Sequence, residues 1–438
     1  MARLKLTIVG AGSVYTALMV RSLMLTRQRG GLPEVELALM DITDERLKIM
    51  EALAHKMAAE AGVEVKISRT LKLAEALDGA DFVITTFRVG GLEGRLADET
   101  IPLEHQMLGQ ETVGAGGTFL CLRTVPAMLT VVREMERRCP NAWLVNYTNP
   151  ANFIVDAVRR TSNVRVVGLC DGVLGILRLV QKLLGSDSID GIDPHVAGVN
   201  HCTWTLELYH NGRDVYPEMH ELVERIDPNK FTDREKLAVR MYRIFGLLPG
   251  SSAYTRYFWN VRPVMEEFTA PEFIPKARVM MRMFNETFAY FESVKENVLS
   301  LEKHVGDLEH GDQAIRFIEA VAGDLDEIQI VNVENRAAIP NLPDDAIVEV
   351  PGKVAASGIT PVPTGPLPKG LVGVVRAQLE HAELSVDAAL SGDPKLAVQA
   401  VMAHPDSTTF DDVLKTAAEL AEAHKPHLGH MRWEELTL

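Results

Sequence analysis

Through residue 195, short apolar runs alternate with amphipathic stretches, the pattern a doubly wound parallel sheet leaves in a sequence. Leu4–Val9 reads as the first strand, and 13–27 as the helix after it. The second strand spans 36–40 and ends at Asp41, and Asp44–Ala61 has the spacing of a long amphipathic helix. A third strand is expected over 63–67, and a fourth over 81–87, where β-branched and aromatic residues gather. A helix over 120–138, a strand over 142–146, a helix over 151–160 and a strand over 165–169 complete the alternation.

Beyond residue 195 the period changes. The apolar pattern predicts one long strand over 196–210, and Asn211-Gly212 is a hairpin turn signal. Helical spacing dominates 217–248, 276–303 and 371–403. Residues 337–369 carry seven prolines, which predicts a loop or short edge strands. The chain is thus α/β: an N-terminal Rossmann-like domain over 1–195, a doubly wound parallel sheet, followed by an α+β domain over 196–438.

With 438 residues and 47% apolar composition, the chain can bury the cores of two domains. Its net charge of −15 argues against a nucleic-acid partner. No apolar run is expected to span a membrane, and Met1-Ala2-Arg3-Leu4-Lys5 runs directly into the first strand, leaving no room for a signal peptide. The four cysteines, Cys121, Cys139, Cys170 and Cys202, are too scattered for a disulfide framework, which points to a reducing cytoplasm.

Gly10-Ala11-Gly12-Ser13 follows the first strand directly. Such a turn lets a pyrophosphate approach the backbone at a helix N-terminus. The third glycine of the fingerprint is absent and Tyr15 stands in its slot, so the turn taken singly is also compatible with a mere strand-to-helix corner. Asp41, ending the second strand, suits a ribose 2′-hydroxyl and repels a 2′-phosphate, which favours NAD over NADP.

Three further strand ends face the same crevice. The fourth is followed by Arg88 and Val89-Gly90-Gly91, the fifth by Asn146-Tyr147-Thr148-Asn149-Pro150, the sixth by Cys170-Asp171-Gly172. Each has a plainer reading. Cys170 is compatible with a core thiol, Asn149 with a helix cap, His201 with a satisfied core histidine, and Arg95 and Glu111 with solvated charges. The stretch from Gly109 to Gly117 is too rich in glycine for an ordinary helix and suggests backbone brought close to a ligand.

In these segments, and in Phe87 to Arg95, Gly109-Gln110-Glu111-Thr112, Gly198-Val199-Asn200-His201 and Ile339-Pro340-Asn341-Leu342-Pro343-Asp344-Asp345, the chain resembles glycoside hydrolase family 4 nearly end to end. It is nearest the 6-phospho-β-glucosidase branch. The resemblance implies a glycosidase dependent on NAD and on Mn2+ or another divalent cation, outside the usual two-carboxylate scheme. The route it implies instead has NAD take hydride from C3 of the sugar, a tyrosine remove the acidified C2 proton, the C1 substituent leave, water add, and the hydride return. Cys170 and His201 correspond to the metal ligands, with sugar oxygens completing the shell. Thiolate preference alone suggests zinc; imidazole and substrate oxygens make manganese reasonable.

By the same resemblance, Gly10, Gly12, Ser13, Val14, Asp41, Arg88 and Asn146 contact the cofactor. Tyr254 aligns with the base, Tyr257 being its competitor, and Glu111 with the leaving-group acid. Arg95, Asn149, Asp171 and Arg278 fall at substrate positions. Asp171 departs from the branch, whose members usually carry asparagine after the metal-binding cysteine where those acting on unphosphorylated sugars tend to carry histidine, and a carboxylate there opposes a 6-phosphate unless Arg95 or Arg278 offsets it. An unphosphorylated sugar or a uronide is therefore the alternative substrate. A 2-hydroxyacid dehydrogenase is the alternative enzyme, and a non-catalytic NAD or sugar sensor a third class. Relatives assemble as homodimers or homotetramers, which is the expectation here.

Overall fold

The computed structural model describes residues 3–250, 252–294, 297–300 and 312–435. Strands β1 (Leu4–Val9), β2 (Val35–Met40), β3 (Val65–Thr70), β4 (Phe82–Thr85), β5 (Trp143–Asn146) and β6 (Arg165–Gly168) pair in parallel in the order β3-β2-β1-β4-β5-β6. Helices α1 (Tyr15–Gln28), α2 (Asp44–Ala61), α3 (Leu73–Leu77), α4 (Gly91–Glu104), α5 (Gly114–Arg138) and α6 (Ala151–Thr161) connect them. Alternate strand residues face opposite ways, as the pleat requires. Ile8, Ile84 and Val145 enter one apolar core, and Val9, Val83 and Leu144 the other. In α2 the buried positions Leu47, Met50, Leu53, Ala54, Met57, Ala58 and Ala61 form one stripe. Asp44 and Glu45 favour its start, and Gly62, at φ 66°, ends it.

The same sheet continues antiparallel. Helix α7 (Gly172–Leu184) leads to β7 (Ile192–Val199), β8 (Cys202–His210) and β9 (Arg213–Asp214). Then come α8 (Tyr216–Glu224), α9 (Asp233–Phe245), β10 (Leu248–Pro249), α10 (Ser252–Trp259), α11 (Val261–Phe268) and α12 (Lys276–Ser293). Strands β11 (Glu327–Glu334), β12 (Ile347–Ala355) and β13 (Gly358–Pro361) complete the sheet, which runs β10-β8-β7-β12-β11-β6 into the parallel half, with β13 on β12 and β9 on β8.

Several expectations are corrected. The strand expected over 196–210 is two strands, β7 and β8, broken by a tight turn at Asn200 and His201, where His201 adopts φ 66°. The proline-rich segment is not confined to edges: β12 is a nine-residue central strand. Pro351 fits there because β7 meets β12 only at Glu349↔Gly198, and β13 takes over from Gly352. There Pro351 gives up one ladder bond but keeps another, its carbonyl oxygen accepting from Val362 N–H at 2.8 Å. Strand β3 starts at Val65, since Val63 belongs to the turn after Gly62.

Helix α5 begins at Gly114, inside the glycine-rich stretch. The close approach there is to protein. A Cβ on Gly109 would stand 1.8 Å from the Glu99 carbonyl oxygen, and one on Gly116 2.1 Å from that of Gln110. Contrary to the expectation from apolar runs, α5 is long and apolar enough by length and composition to cross a membrane. With 78% of that window buried inside the molecule, it serves as a core helix.

Candidate active site

The crevice opens at the carboxyl ends of the parallel strands. At its cofactor end, Gly10 turns at φ 91°, and a Cβ there would lie 2.6 Å from the Thr86 carbonyl oxygen. Only glycine lets the β1–α1 turn sit against the segment after β4. Gly12 N–H donates to Asp41 Oδ2 at 2.8 Å, and Thr43 N–H to Asp41 Oδ1 at 3.0 Å. Asp41 thus shapes the turn, and each of its oxygens keeps a lone pair for a hydroxyl. Ser13 is half-buried, and its Oγ accepts from Tyr15 N–H at 3.3 Å. Val14 is fully buried in the core, which leaves only its backbone to meet a ligand. The Asn146 side chain is committed to the protein: its Oδ1 accepts from Thr85 Oγ1 at 2.9 Å and Thr148 N–H at 3.1 Å, and its Nδ2 donates to the Thr148 carbonyl. A dinucleotide fits this cradle, since the glycines leave room at the open N-terminus of α1.

Next along the crevice lies a buried ion cluster. Arg88 and Arg95 clasp Glu111, with Arg95 Nη1 2.7 Å from Glu111 Oε1. Arg95 also donates to Glu99 Oε1 at 2.7 Å, while Glu99 Oε2 accepts from the Ala277 N–H that opens α12, at 2.8 Å. Burial alone would raise the Glu111 carboxyl, but Arg88, Arg95, Lys276 and His201 outweigh it and bring it down to about 2. Glu111 is therefore a carboxylate, although only 5% exposed. Tyr15 lies among the same groups, and burial together with the Glu111 charge pushes its hydroxyl up to about 12.

Cys170 and His201 come together from different strand ends. Cys170 Sγ is 3.6 Å from His201 Nε2. The Thr112 hydroxyl donates to Gln110 Oε1 at 3.0 Å, so it accepts from His201 Nδ1–H at 2.9 Å. This leaves the Nε2 lone pair aimed at the sulfur. Burial pushes the His201 imidazole down to about 3 and, with help from the Glu349 carboxylate, the Cys170 thiol up to about 12. A neutral imidazole beside a thiol that must shed its proton is a donor set that fits a divalent cation. Among the described residues no group of three or more His, Cys, Asp or Glu could hold a metal, so the pair offers two of the ligands a cation needs.

The remaining candidates come from separate elements. Asn149 is half-buried before a cis Pro150, and α6 starts at Ala151 with Pro150 at its N-cap, so Asn149 is not the helix cap. Asp171 is the N-cap position of α7, directly after Cys170. Arg278 is exposed on α12, whereas Lys276, two residues earlier, acts on Glu111. Tyr254 lies on α10, its side chain outside the described residues. Tyr257 is buried with Leu108, Val113 and Val264, and the Arg256 guanidinium lies 5.4 Å from its ring centre. Burial raises its hydroxyl despite Arg256. The sequence offered no role for Thr112, Asn200, Lys276 or Glu349; for Tyr15 the signal was present, as the odd residue in the third-glycine slot.

Comparison with known proteins gives the following. The chain matches the family model described as Family 4 glycosyl hydrolase over residues 5–186, and that of the Family 4 glycosyl hydrolase C-terminal domain over 196–406. It is 34% identical over 437 residues to a probable 6-phospho-beta-glucosidase of Bacillus subtilis (strain 168), covering 97% of each chain. It is 28% identical to an alpha-galactosidase of the same organism, over 96% of this chain and 98% of that one. The solved 6-phospho-beta glucosidase of Thermotoga maritima, with manganese, NAD+ and glucose-6-phosphate, aligns with a TM-score of 0.86 at 25% identity, over 97% of this chain and 99% of that one.

Proposed function

The chain belongs to the family 4 glycosyl hydrolases, and on that footing we propose that it cleaves a 6-phospho-glucoside using NAD and Mn2+. The observation that carries the reading is the pairing of Cys170 Sγ with His201 Nε2 at 3.6 Å, in the crevice that begins at the Gly10 turn. Family membership sets aside the dehydrogenase and sensor readings. When bound, NAD supplies a hydride acceptor for C3 of the sugar, and the cation supplies Lewis acidity at its O2 and O3.

The chain's own residues do the rest. Gly10, Gly12, Ser13, the Val14 backbone and Asp41 seat the dinucleotide, with Arg88 and Asn146 ordering the adjoining strand ends. His201 and Cys170 hold the cation, Asn149 binds a sugar hydroxyl, and Tyr254 takes the C2 proton. Glu111 enters the cycle ionised and so cannot yet protonate a leaving group. A substrate phosphate that drew Arg95 onto itself would loosen the clasp and let Glu111 accept a proton. Arg278, exposed near the start of α12, is the second cation assigned to that anion. Four free cysteines support a cytoplasmic setting, and exposed Ile244 and Trp259 support a homodimer or homotetramer.

Asp171 favours a second reading, an unphosphorylated sugar or uronide, because its carboxylate opposes a phosphate. Both are tested with p-nitrophenyl glycosides and their 6-phosphates, in NAD, Mn2+ and reductant. Turnover of the 6-phosphates, lost on chelation and restored by Mn2+, with solvent deuterium entering C2, is expected. Turnover of unphosphorylated sugars alone overturns the first reading.

A further inference from the structure

Among the described residues, two neighbouring links of the sheet are single bridge pairs: β6 meets β11 at Gly168↔Asn332, where the parallel half passes into the antiparallel one, and β7 meets β12 at Gly198↔Glu349, within the antiparallel half. Gly168 lies two residues before Cys170, and Gly198 three before His201. Asn332 and Glu349 are themselves register partners across β11 and β12. The seam therefore falls directly behind the two residues assigned to the cation.

Its side chains are polar and buried. Asn332 Nδ2 donates to Glu349 Oε1 at 3.1 Å and to the Gly168 carbonyl at 3.4 Å. Asn200 Nδ2 donates to the same Oε1 at 3.1 Å, and the Asn200 side chain, one residue before His201, favours the ionised form of the Cys170 thiol. A Cβ on Gly168 would come within 2.9 Å of the Asn332 Cβ, so glycine is what lets the asparagine approach. An apolar core would join these strands without burying a carboxyl, whose desolvation is costly. None of the chemical steps uses this acid.

We propose that Glu349 is a positioning residue: by holding Asn200 and Asn332 on one oxygen, it sets the separation of Cys170 from His201 and with it the affinity for the divalent cation. The inference rests on the reading that these two residues bind the cation. One side of the network fixes the strand that delivers Cys170, the other fixes the turn that delivers His201, and Asn200 acts on the sulfur as well. Carboxylate groups in such outer positions typically govern metal affinity by about 10- to 100-fold.

The test is titration of the full-length, NAD-free protein with Mn2+ alone, reading free Mn2+ by electron paramagnetic resonance. Glu349→Leu is expected to weaken Mn2+ about 10- to 100-fold, with NAD affinity unchanged. Glu349→Gln, which keeps an acceptor oxygen in place, is expected to stay within about fivefold of the parent. A Leu variant binding like the parent, or a Gln variant as weak as Leu, overturns the proposal. If Glu349→Leu does not fold, Asn332→Ala replaces it: a several-fold loss is expected, and parental affinity overturns. Cys170→Ser separates the two claims. Parental Mn2+ binding there overturns the cation reading itself, whereas loss there with a parental Leu variant overturns only the role of Glu349.

Discussion

Arg95 Nη1 lies 2.7 Å from Glu111 Oε1, in a cluster almost closed to solvent. The pair makes a pH prediction. The Glu111 carboxyl falls from an ordinary 4.5 to about 2 on folding, so its contribution is fully present above about pH 4.5 and is lost as pH drops through the folded value. A shift of that size corresponds to stabilisation on the order of 3 kcal/mol. Glu111→Gln should lower stability at neutral pH by that order and flatten its decline between about pH 4.5 and 2. Urea unfolding at a series of pH values measures this, and parallel profiles for parent and variant contradict it.

Asp41 bonds the Gly12 amide and stands where a ribose is expected. Asp41→Ala should weaken NAD about tenfold and narrow the preference over NADP, since a hydrogen-bonded partner and a repulsive charge vanish together. Fluorescence titration with both dinucleotides checks it. An unchanged preference argues that some other group reads the 2′ position.

The two tyrosines of α10 should behave differently. Tyr257 sits in an apolar cluster under Arg256, so Tyr257→Phe is expected to leave kcat within about threefold and to cost roughly 1 kcal/mol of stability. Tyr254→Phe is expected to reduce kcat by about 100- to 10,000-fold while NAD and Mn2+ still bind. Equal losses in both variants exclude the assignment of the base to Tyr254.

Asp171 bears on substrate choice. Removing its charge should raise kcat/KM for a 6-phosphate about tenfold relative to the unphosphorylated glycoside, because like charges near contact oppose each other by kcal/mol amounts even in a partly screened site. Asp171→Asn assayed on the matched pair settles the sign. A ratio that moves toward the neutral sugar indicates that Asp171 does not face the phosphate.

The parallel half was legible because local pattern and global fold agree there: β1 and α2 fall where their apolar spacing puts them. The hairpin holding His201 was not, because β7 and β8 are both apolar and the two-residue turn between them carries neither glycine nor proline. Pro351 masked β12, since the rule excluding proline from central strands assumes continuous pairing on both sides, and here the pairing is interrupted. The candidate residues were found by strand ends and resemblance, but their electrostatic setting was hidden. That Arg88, Arg95, Lys276 and Glu111 converge depends on how α4 and α12 pack, which no spacing in the chain records.

His201 holds a left-handed backbone, a conformation that is uphill for any side chain with a Cβ and costs on the order of 1–2 kcal/mol. Glycine would relax that corner of the hairpin and leave the molecule with no ring to offer a cation. Durability and competence thus pull on a single position in opposite directions. Selection for thermal endurance alone would favour that exchange, and a hardened descendant that has lost its histidine is the form such drift would take.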